Sequence, residues 1–249
     1  MDLNGDIGEY FSSDPQDKDA AMLLALSSAN IACGFHAGDP LTMLRTVREC
    51  DAAGVTIGAH PSYPDPAGFG RRFIQMSRED LFATIVYQVS ALSGIATSLG
   101  LTLRYVKAHG ALYNRAFFDE DEANVIAEAV VSLEPQLTIL GQPKSALEVI
   151  AYKRGLAFAR EGYADRRYDR FGALVPRGEP GAVIENIDQQ IEQAMSLATG
   201  AGVTAIDGKI VELTVDSICV HGDSPGATNA AHAIRLALES RGIGVGPFC

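Results

Sequence analysis

Short apolar runs alternate along the chain with longer segments of helical period, the pattern of repeated strand–helix units and a parallel sheet. Seven runs read as strands: Met1 to Asp6, Asn30 to Phe35, Val55 to His60, Leu103 to His109, Gln136 to Gly141, Leu156 to Gly162 and Ser217 to His221. That number predicts an α/β fold, an incomplete or distorted seven-stranded (β/α) barrel. Helix starts fall between the runs. Asp39-Pro40 sets a capping acid before a first-turn proline, Ser77 to Asp80 resembles a capping box, and Ser224-Pro225 repeats the cap-then-proline order. Gly54, Gly100, Gly155 and Gly242 mark helix ends. Two stretches break the alternation. Pro61 to Met76, rich in Pro and Gly, is expected as a lid or rim over the barrel mouth. Val203 to Val215 alternates about Asp207-Gly208, the signal of a hairpin with a two-residue turn, either decoration or a surface for a partner chain.

Four of the five histidines stand where an apolar run gives out into a loop: His36, His60, His109 and His221. Parallel strands gather their carboxyl ends at one mouth, so this recurrence predicts one shared polar pocket. Alternation sends Asp2, Asn4 and Asp6 to the same side of the first strand, and Lys107 shares a side with His109. Asp6, His36 and His60 form a candidate ligand set for a divalent metal, and equally an acid/base network. No tight ligand motif such as HExxH is present, which favours the network. A lysine inside a barrel is costly without compensation. Lys107 could hold a substrate carboxylate, stabilise an oxyanion or act as a base of depressed pKa, and an ion pair to Asp2 or Asp6 is the structural alternative. Gly110 to Asn114 brings a close-approach glycine and the polar Asn114 to the same edge. His221-Gly-Asp223-Ser-Pro-Gly offers acid/base groups beside a helix start able to receive an anion, with Asp223 or Ser224 as the cap.

With 249 residues, 47% of them hydrophobic, and no low-complexity linker, the chain reads as a single domain, 1–249. A net charge of -11 argues against a nucleic-acid groove and favours small molecules or proteins as partners. Arg71-Arg72 and Arg166-Arg167 are by default surface pairs. Cys33, Cys50, Cys219 and Cys249 lack CxxC spacing and read as core or terminal thiols of a reducing cytosol. No basic and apolar leader opens the chain, and no uninterrupted apolar stretch reaches about 18 residues, so a cytoplasmic protein without membrane insertion is expected. Gly202 to Lys209 fails as a phosphate-binding loop, having five residues between its glycines and Ile210 in place of Ser or Thr. No Gly-x-Gly-x-x-Gly follows a strand.

The motifs in their order resemble the LamB/YcsF family. They are Asp2-Leu-Asn-Gly-Asp-Ile-Gly-Glu9, Asn30-Ile-Ala-Cys-Gly-Phe-His-Ala-Gly-Asp39, Ile57-Gly-Ala-His-Pro-Ser-Tyr-Pro-Asp65, Gly68-Phe-Gly-Arg71, Val106-Lys-Ala-His-Gly-Ala-Leu-Tyr-Asn114, Tyr163-Ala-Asp-Arg166, Leu174-Val-Pro-Arg177 and Val220-His-Gly-Asp223. Gly5 stands where the family has Cys or Ala, Tyr10 where it often has Gly, and Ala108 where it has Pro. The resemblance implies a distorted barrel of the glycoside hydrolase/deacetylase type. It also implies ATP-dependent opening of the lactam of 5-oxo-L-proline to L-glutamate, with ATP and its Mg as co-substrate and separate B and C subunits as partners. On that reading Asp6, His36, His60, Lys107 and His109 carry the chemistry, and Asn4, Asn114, Arg166, His221 and Asp223 bind substrate. Arg166 is a candidate phosphate donor, with an Asp165–Arg166 salt bridge as its plainer alternative. A metal-dependent amide or sugar deacetylase and a non-catalytic subunit that binds a small acid are the competing functions, and homo-oligomerisation stays open.

Overall fold

The computed structural model describes residues 1–11, 18–133, 137–221 and 226–249. Seven parallel strands close into a barrel: β1 (Asp2–Ile7), β2 (Ser28–Ala32), β3 (Thr56–His60), β4 (Tyr105–Val106), β5 (Thr138–Gly141), β6 (Phe158–Tyr163) and, after the two hairpin strands β7 (Val203–Thr204) and β8 (Ile210–Val211), β9 (Ser217–Cys219), which pairs with both β6 and β1. The barrel is therefore complete rather than open. Each expected run holds a strand, with shifted ends. β2 stops at Ala32 because the chain turns through Gly34 (φ 92°) and Gly38 (φ 83°), conformations that favour glycine. The ladder of β4 spans two residues, yet the Arg104, Lys107 and His109 amides still donate to Ile57, Ala59 and Pro61 of the preceding strand and loop, so Leu103 to His109 runs alongside β3.

Helices α1 (Lys18–Leu23), α2 (Pro40–Ala53), α3 (Arg78–Ser98), α4 (Gly110–Arg115), α5 (Glu120–Leu133), α6 (Ala146–Lys153), α7 (Ile187–Thr199) and α8 (Ala227–Ser240) fill the connections. Asp39 accepts from the Thr42 amide with Pro40 in the first turn, and Ser77 accepts from the Asp80 amide. Gly54, Gly100, Gly155 and Gly242 all take left-handed φ between 67° and 76°. α8 follows Gly226, and Ser224-Pro225 lies outside the described residues. By length and composition α3 could cross a membrane, at 21 residues and mean hydropathy 1.3. Here its Leu81, Ile85, Val89 and Leu92 are buried in the core, and Gln88 bonds both the amide and the carbonyl of Ser62.

The hairpin forms, with a correction. Ala205 N donates to Lys209 O and Gly208 N to Ala205 O, so the turn has three residues, Ile206 to Gly208, with Gly208 in the left-handed region (φ 83°).

Apolar residues pack the layer between strands and helices, whereas the barrel's inside is polar. Asp2 accepts from Ser27, Ser28 and Ser217 at one level; Asn4, Asn30 and the Tyr105 hydroxyl bond one another at the next; Asp6 and Lys107 form the level nearest the mouth. Gly58 makes this layering possible, since a Cβ there would lie 2.2 Å from the Tyr105 ring. Gly5 is the outward counterpart: a Cβ would meet Met22 Cε at 2.8 Å and Leu26 Cδ1 at 2.9 Å, space those two side chains fill.

Candidate functional site

Lys107 extends from the end of β4 into the barrel, where it is 1% exposed. Its Nζ lies 2.8 Å from Glu161 Oε1 and 3.0 Å from Asp6 Oδ1, with Cys219 Sγ at 3.3 Å and the ring of Tyr163 5.3 Å away. Burial alone would depress its pKa, but Asp6 and then Cys219 and Glu161 outweigh it and hold the ammonium well above the ordinary lysine value. Lys107 is therefore a fixed cation, which removes the role of a base with depressed pKa. For Asp6 burial opposes ionisation, and Lys107 with His60 reverses that, holding the carboxyl well below the usual range.

His60 ends β3 and His109 caps α4. His60 Nδ1 donates to Lys107 O at 2.8 Å and His109 Nε2 donates to Phe69 O at 2.8 Å, which turns the remaining nitrogens, His60 Nε2 and His109 Nδ1, toward each other at 3.0 Å. Asp6 Oδ1 lies 3.3 Å from His60 Nε2 and Glu9 Oε1 3.2 Å from His109 Nδ1. Burial works against an ionised Glu9, but its neighbours His109 and His36 hold its pKa well below the ordinary range.

The segment after β3 forms a fixed rim. Asp65 caps the short 3-10 turn Pro66–Gly68 and takes Arg72 Nε at 3.1 Å, while Gly70 O accepts from the Ala111 amide. Gly70 (φ 65°) and Gly110 (φ 58°) permit this approach, because a Cβ on Gly110 would sit 2.4 Å from Gly70 O and one on Gly70 2.8 Å from His109 Cδ2.

Together these groups floor a cavity of about 380 Å³, walled by Tyr113, Asn114, Tyr163, Arg71, Arg166, Arg177 and His221. Thus Asp6, His60, Lys107, His109, Asn114, Arg166 and His221 converge at the carboxyl ends of the strands. His36 stands behind that wall, stacked on His109 with ring centroids 3.8 Å apart, its Nε2 3.1 Å from Glu9 and its Nδ1 3.0 Å from Ser62 Oγ. Burial, then neighbouring His109, pulls its pKa down to about 4. Glu9 and His109, not His36, stand beside Asp6 and His60 in the cluster of potential ligand atoms, which lie within 4.8 Å of one another. Asn4 does not reach the cavity wall. It is held one level below by Ser217 and Asn30, because alternate residues of a strand share a side but differ in depth by about 7 Å. Asp223 lies outside the described residues.

Asp165 pairs with His221 Nδ1 at 2.7 Å rather than with Arg166. Buried Arg166 donates through Nη2 to Val175 O at 2.6 Å, and its Nε has no hydrogen-bond partner among the described residues. The surface default for the arginine pairs thus fails at Arg166. Sequence reasoning also passed over Glu9, Glu161, Tyr113, Arg71 and Arg177 as site residues. Glu161, an acid next to Arg160 in the run Leu156 to Gly162, was the available signal; its Oε2 accepts from Tyr113 at 2.6 Å.

A model of the LamB/YcsF family matches residues 1–249. The chain belongs to the LamB/YcsF family. Among LamB/YcsF relatives, a 5-oxoprolinase A subunit of Agrobacterium fabrum is 45% identical over 248 residues, covering 100% of this chain and 97% of its own length. The crystal structure of a lactam utilization protein from Thermus thermophilus superposes with a TM-score of 0.92 at 40% identity, covering 99% of this chain and 98% of that one. The LamB/YcsF barrel also shares its fold with the catalytic domain of a peptidoglycan N-acetylglucosamine deacetylase from Eubacterium rectale, TM-score 0.51 at 11% identity over 98% of this chain and 86% of that one.

Proposed function

We propose that this chain, acting as one catalytic domain, is the A subunit of a cytoplasmic ATP-dependent 5-oxoprolinase. It opens the lactam of 5-oxo-L-proline to L-glutamate with B and C subunits and with Mg-bound ATP as co-substrate. The observation that carries the reading is the pairing of a fixed cation, Lys107, with a cavity whose wall bears Arg71, Arg166 and Arg177. A lactam acid brings a carboxylate, its activation brings phosphate, and guanidinium forks suit both. About 380 Å³ is ample for a single-ring substrate.

A lactam is a resonance-stabilised amide, so its oxygen must become a leaving group. Transfer of the γ-phosphoryl group from ATP to that oxygen releases ADP. Water then adds to the carbon, and the ring C–N bond breaks as nitrogen takes a proton, leaving an acyl phosphate. A second water frees phosphate and the new carboxylate. In this scheme Asp6, His60 and His109, with Glu9, hold the attacking water at the point where their free atoms converge. His221, its Nδ1 fixed by Asp165, supplies the proton to nitrogen from Nε2. Lys107 acts through its charge, on Asp6 and on the developing oxyanion. Asn114 and the arginines orient substrate, and His36 positions His109 and Glu9.

The test is glutamate and ADP release from 5-oxoproline and ATP by the assembled A, B and C subunits. Release by the assembly, lost when this chain is omitted, is the expected result. Acetate release from an acetylated sugar or amide by the isolated chain, without glutamate formation by the assembly, would select the deacetylase instead. Unchanged binding of 5-oxoproline with full activity lacking this chain would eliminate both.

A further inference from the structure

A carbonyl oxygen only accepts hydrogen bonds, so His60 Nδ1, on Lys107 O, and His109 Nε2, on Phe69 O, both carry hydrogen. In neutral imidazoles the other nitrogens are then bare. His60 Nε2 and His109 Nδ1 consequently direct lone pairs at one another across 3.0 Å, in side chains that are 1% and 6% exposed. Two lone pairs at that distance require a positive centre between or beside them. The flanking groups are carboxylates, Asp6 at 3.3 Å from one nitrogen and Glu9 at 3.2 Å from the other.

We propose that His60, His109, Asp6 and Glu9 form a binding site for a divalent first-row transition metal. Three of the cluster's six edges, 3.0, 3.2 and 3.3 Å, are close to the roughly 3.3 Å edge of a tetrahedron whose metal–ligand bonds are about 2.0–2.1 Å, and all four ligand atoms lie within 4.8 Å of one another. The outer hydrogen bonds have the form expected around a metal, each ligating imidazole donating its second N–H to a backbone carbonyl and so fixing tautomer and ring orientation. Charge agrees as well. Lys107 is shared between Asp6 and Glu161, so with Glu9 three carboxylates face a single lysine, an excess of two negative charges. A shared proton offsets one; a divalent ion offsets both. Two imidazoles and two carboxylates suit zinc, manganese or iron(II) and disfavour soft copper(I). His36 belongs to the surroundings, oriented by Ser62 and bonded to Glu9. This assignment refines how the attacking water is held in the proposed reaction, but it rests on ligand geometry and stands whatever the substrate.

The test uses the full chain, stripped by chelation and titrated separately with Zn²⁺ and Mn²⁺, with metal content read by plasma mass spectrometry. Visible absorption on Co²⁺ addition reports nitrogen and oxygen ligation in the wild-type protein. One equivalent is expected, with the melting temperature rising on saturation. His60→Gln and His109→Gln should each weaken binding at least about a hundredfold, while His221→Gln, whose Nδ1 is taken by Asp165 and which is not one of the four ligands, stays within about threefold. The proposal is overturned by absence of binding tighter than millimolar in the wild-type chain, by unchanged affinity in folded His109→Gln, or by loss confined to His221→Gln. Loss of glutamate formation with one equivalent of metal still bound would count against the substrate reading alone.

Discussion

Replacing Lys107 by methionine keeps the side-chain length and removes the charge. It leaves Asp6 and Glu161 buried without their shared cation, which sits 3.0 and 2.8 Å from them. Breaking a buried ion pair from one side costs about 3–5 kcal/mol. Asp6 retains Asn30 and Glu161 retains Tyr113, which places the expectation near the lower figure. With a urea dependence of about 3 kcal/mol per molar for a chain of this size, the unfolding midpoint should fall by roughly 1 M. The chain has 8 tyrosines and no tryptophan, so unfolding is followed by far-ultraviolet circular dichroism with tyrosine fluorescence. A second change, Glu161→Gln, removes one stranded carboxylate and should recover part of the loss in Lys107→Met, a coupling absent between independent sites. If the Lys107→Met midpoint moves by less than about 0.2 M, Lys107 is not the counter-charge of this core and the reasoning fails. Turnover is read in the double variant: if stability returns while glutamate formation does not, the lysine charge acts in the chemistry as well.

Gly58→Ala puts a Cβ 2.2 Å from the Tyr105 ring and should destabilise by roughly 1–3 kcal/mol in the same urea assay; an unchanged midpoint would place that ring elsewhere. For Asp165, burial opposes ionisation, but the charge and hydrogen bond of His221, with Arg177 and Arg166, hold its pKa below the ordinary value of 3.8. A depressed acid contributes stability that is present above the unfolded pKa and lost as pH falls through the folded one. Asp165→Asn should therefore cost on the order of 1–3 kcal/mol at pH 7, the deficit shrinking below about pH 4, and a deficit that grows on acidification would refute the assignment.

The barrel was legible because four of the seven strand runs gave out at a histidine and helix starts carried caps such as Asp39 or Ser77. Alternation placed Asp2, Asn4 and Asp6 on one side correctly, but a period of two gives side and not depth, and only the ladder to Ser28 and Asn30 shows that Asn4 lies beneath the mouth. Glu161 was hidden for a related reason. Its neighbour Arg160 pairs with Asp216, so Arg160-Glu161 read as an ordinary charged pair, whereas the inside of this barrel is built from Asp2, Asn4, Asn30, Lys107 and Ser217, the reverse of the branched apolar filling common to such barrels. Arg166 and Arg177 reach the cavity through the fold of the loop after β6, anchored by Arg166 on Val175 and by the bridge from Arg166 to Val183. No local pattern encodes such contacts. The turn Ile206 to Gly208 was misjudged by one residue because Asp-Gly also serves the longer hairpin whose glycine takes the left-handed position.

The central claim is that the cavity bounded by Asp6, His60, His109 and Lys107 is where the lactam opens. Asp6→Asn tests it most directly: it keeps the hydrogen bond from Asn30 to Oδ1 and removes the charge that faces His60 and Lys107. In the assembly with B and C subunits, glutamate release from 5-oxoproline and ATP should fall at least about a hundredfold, the loss typical of one preorganised electrostatic group, while the subunits still associate. Near-normal glutamate release from an intact Asp6→Asn assembly would contradict the account.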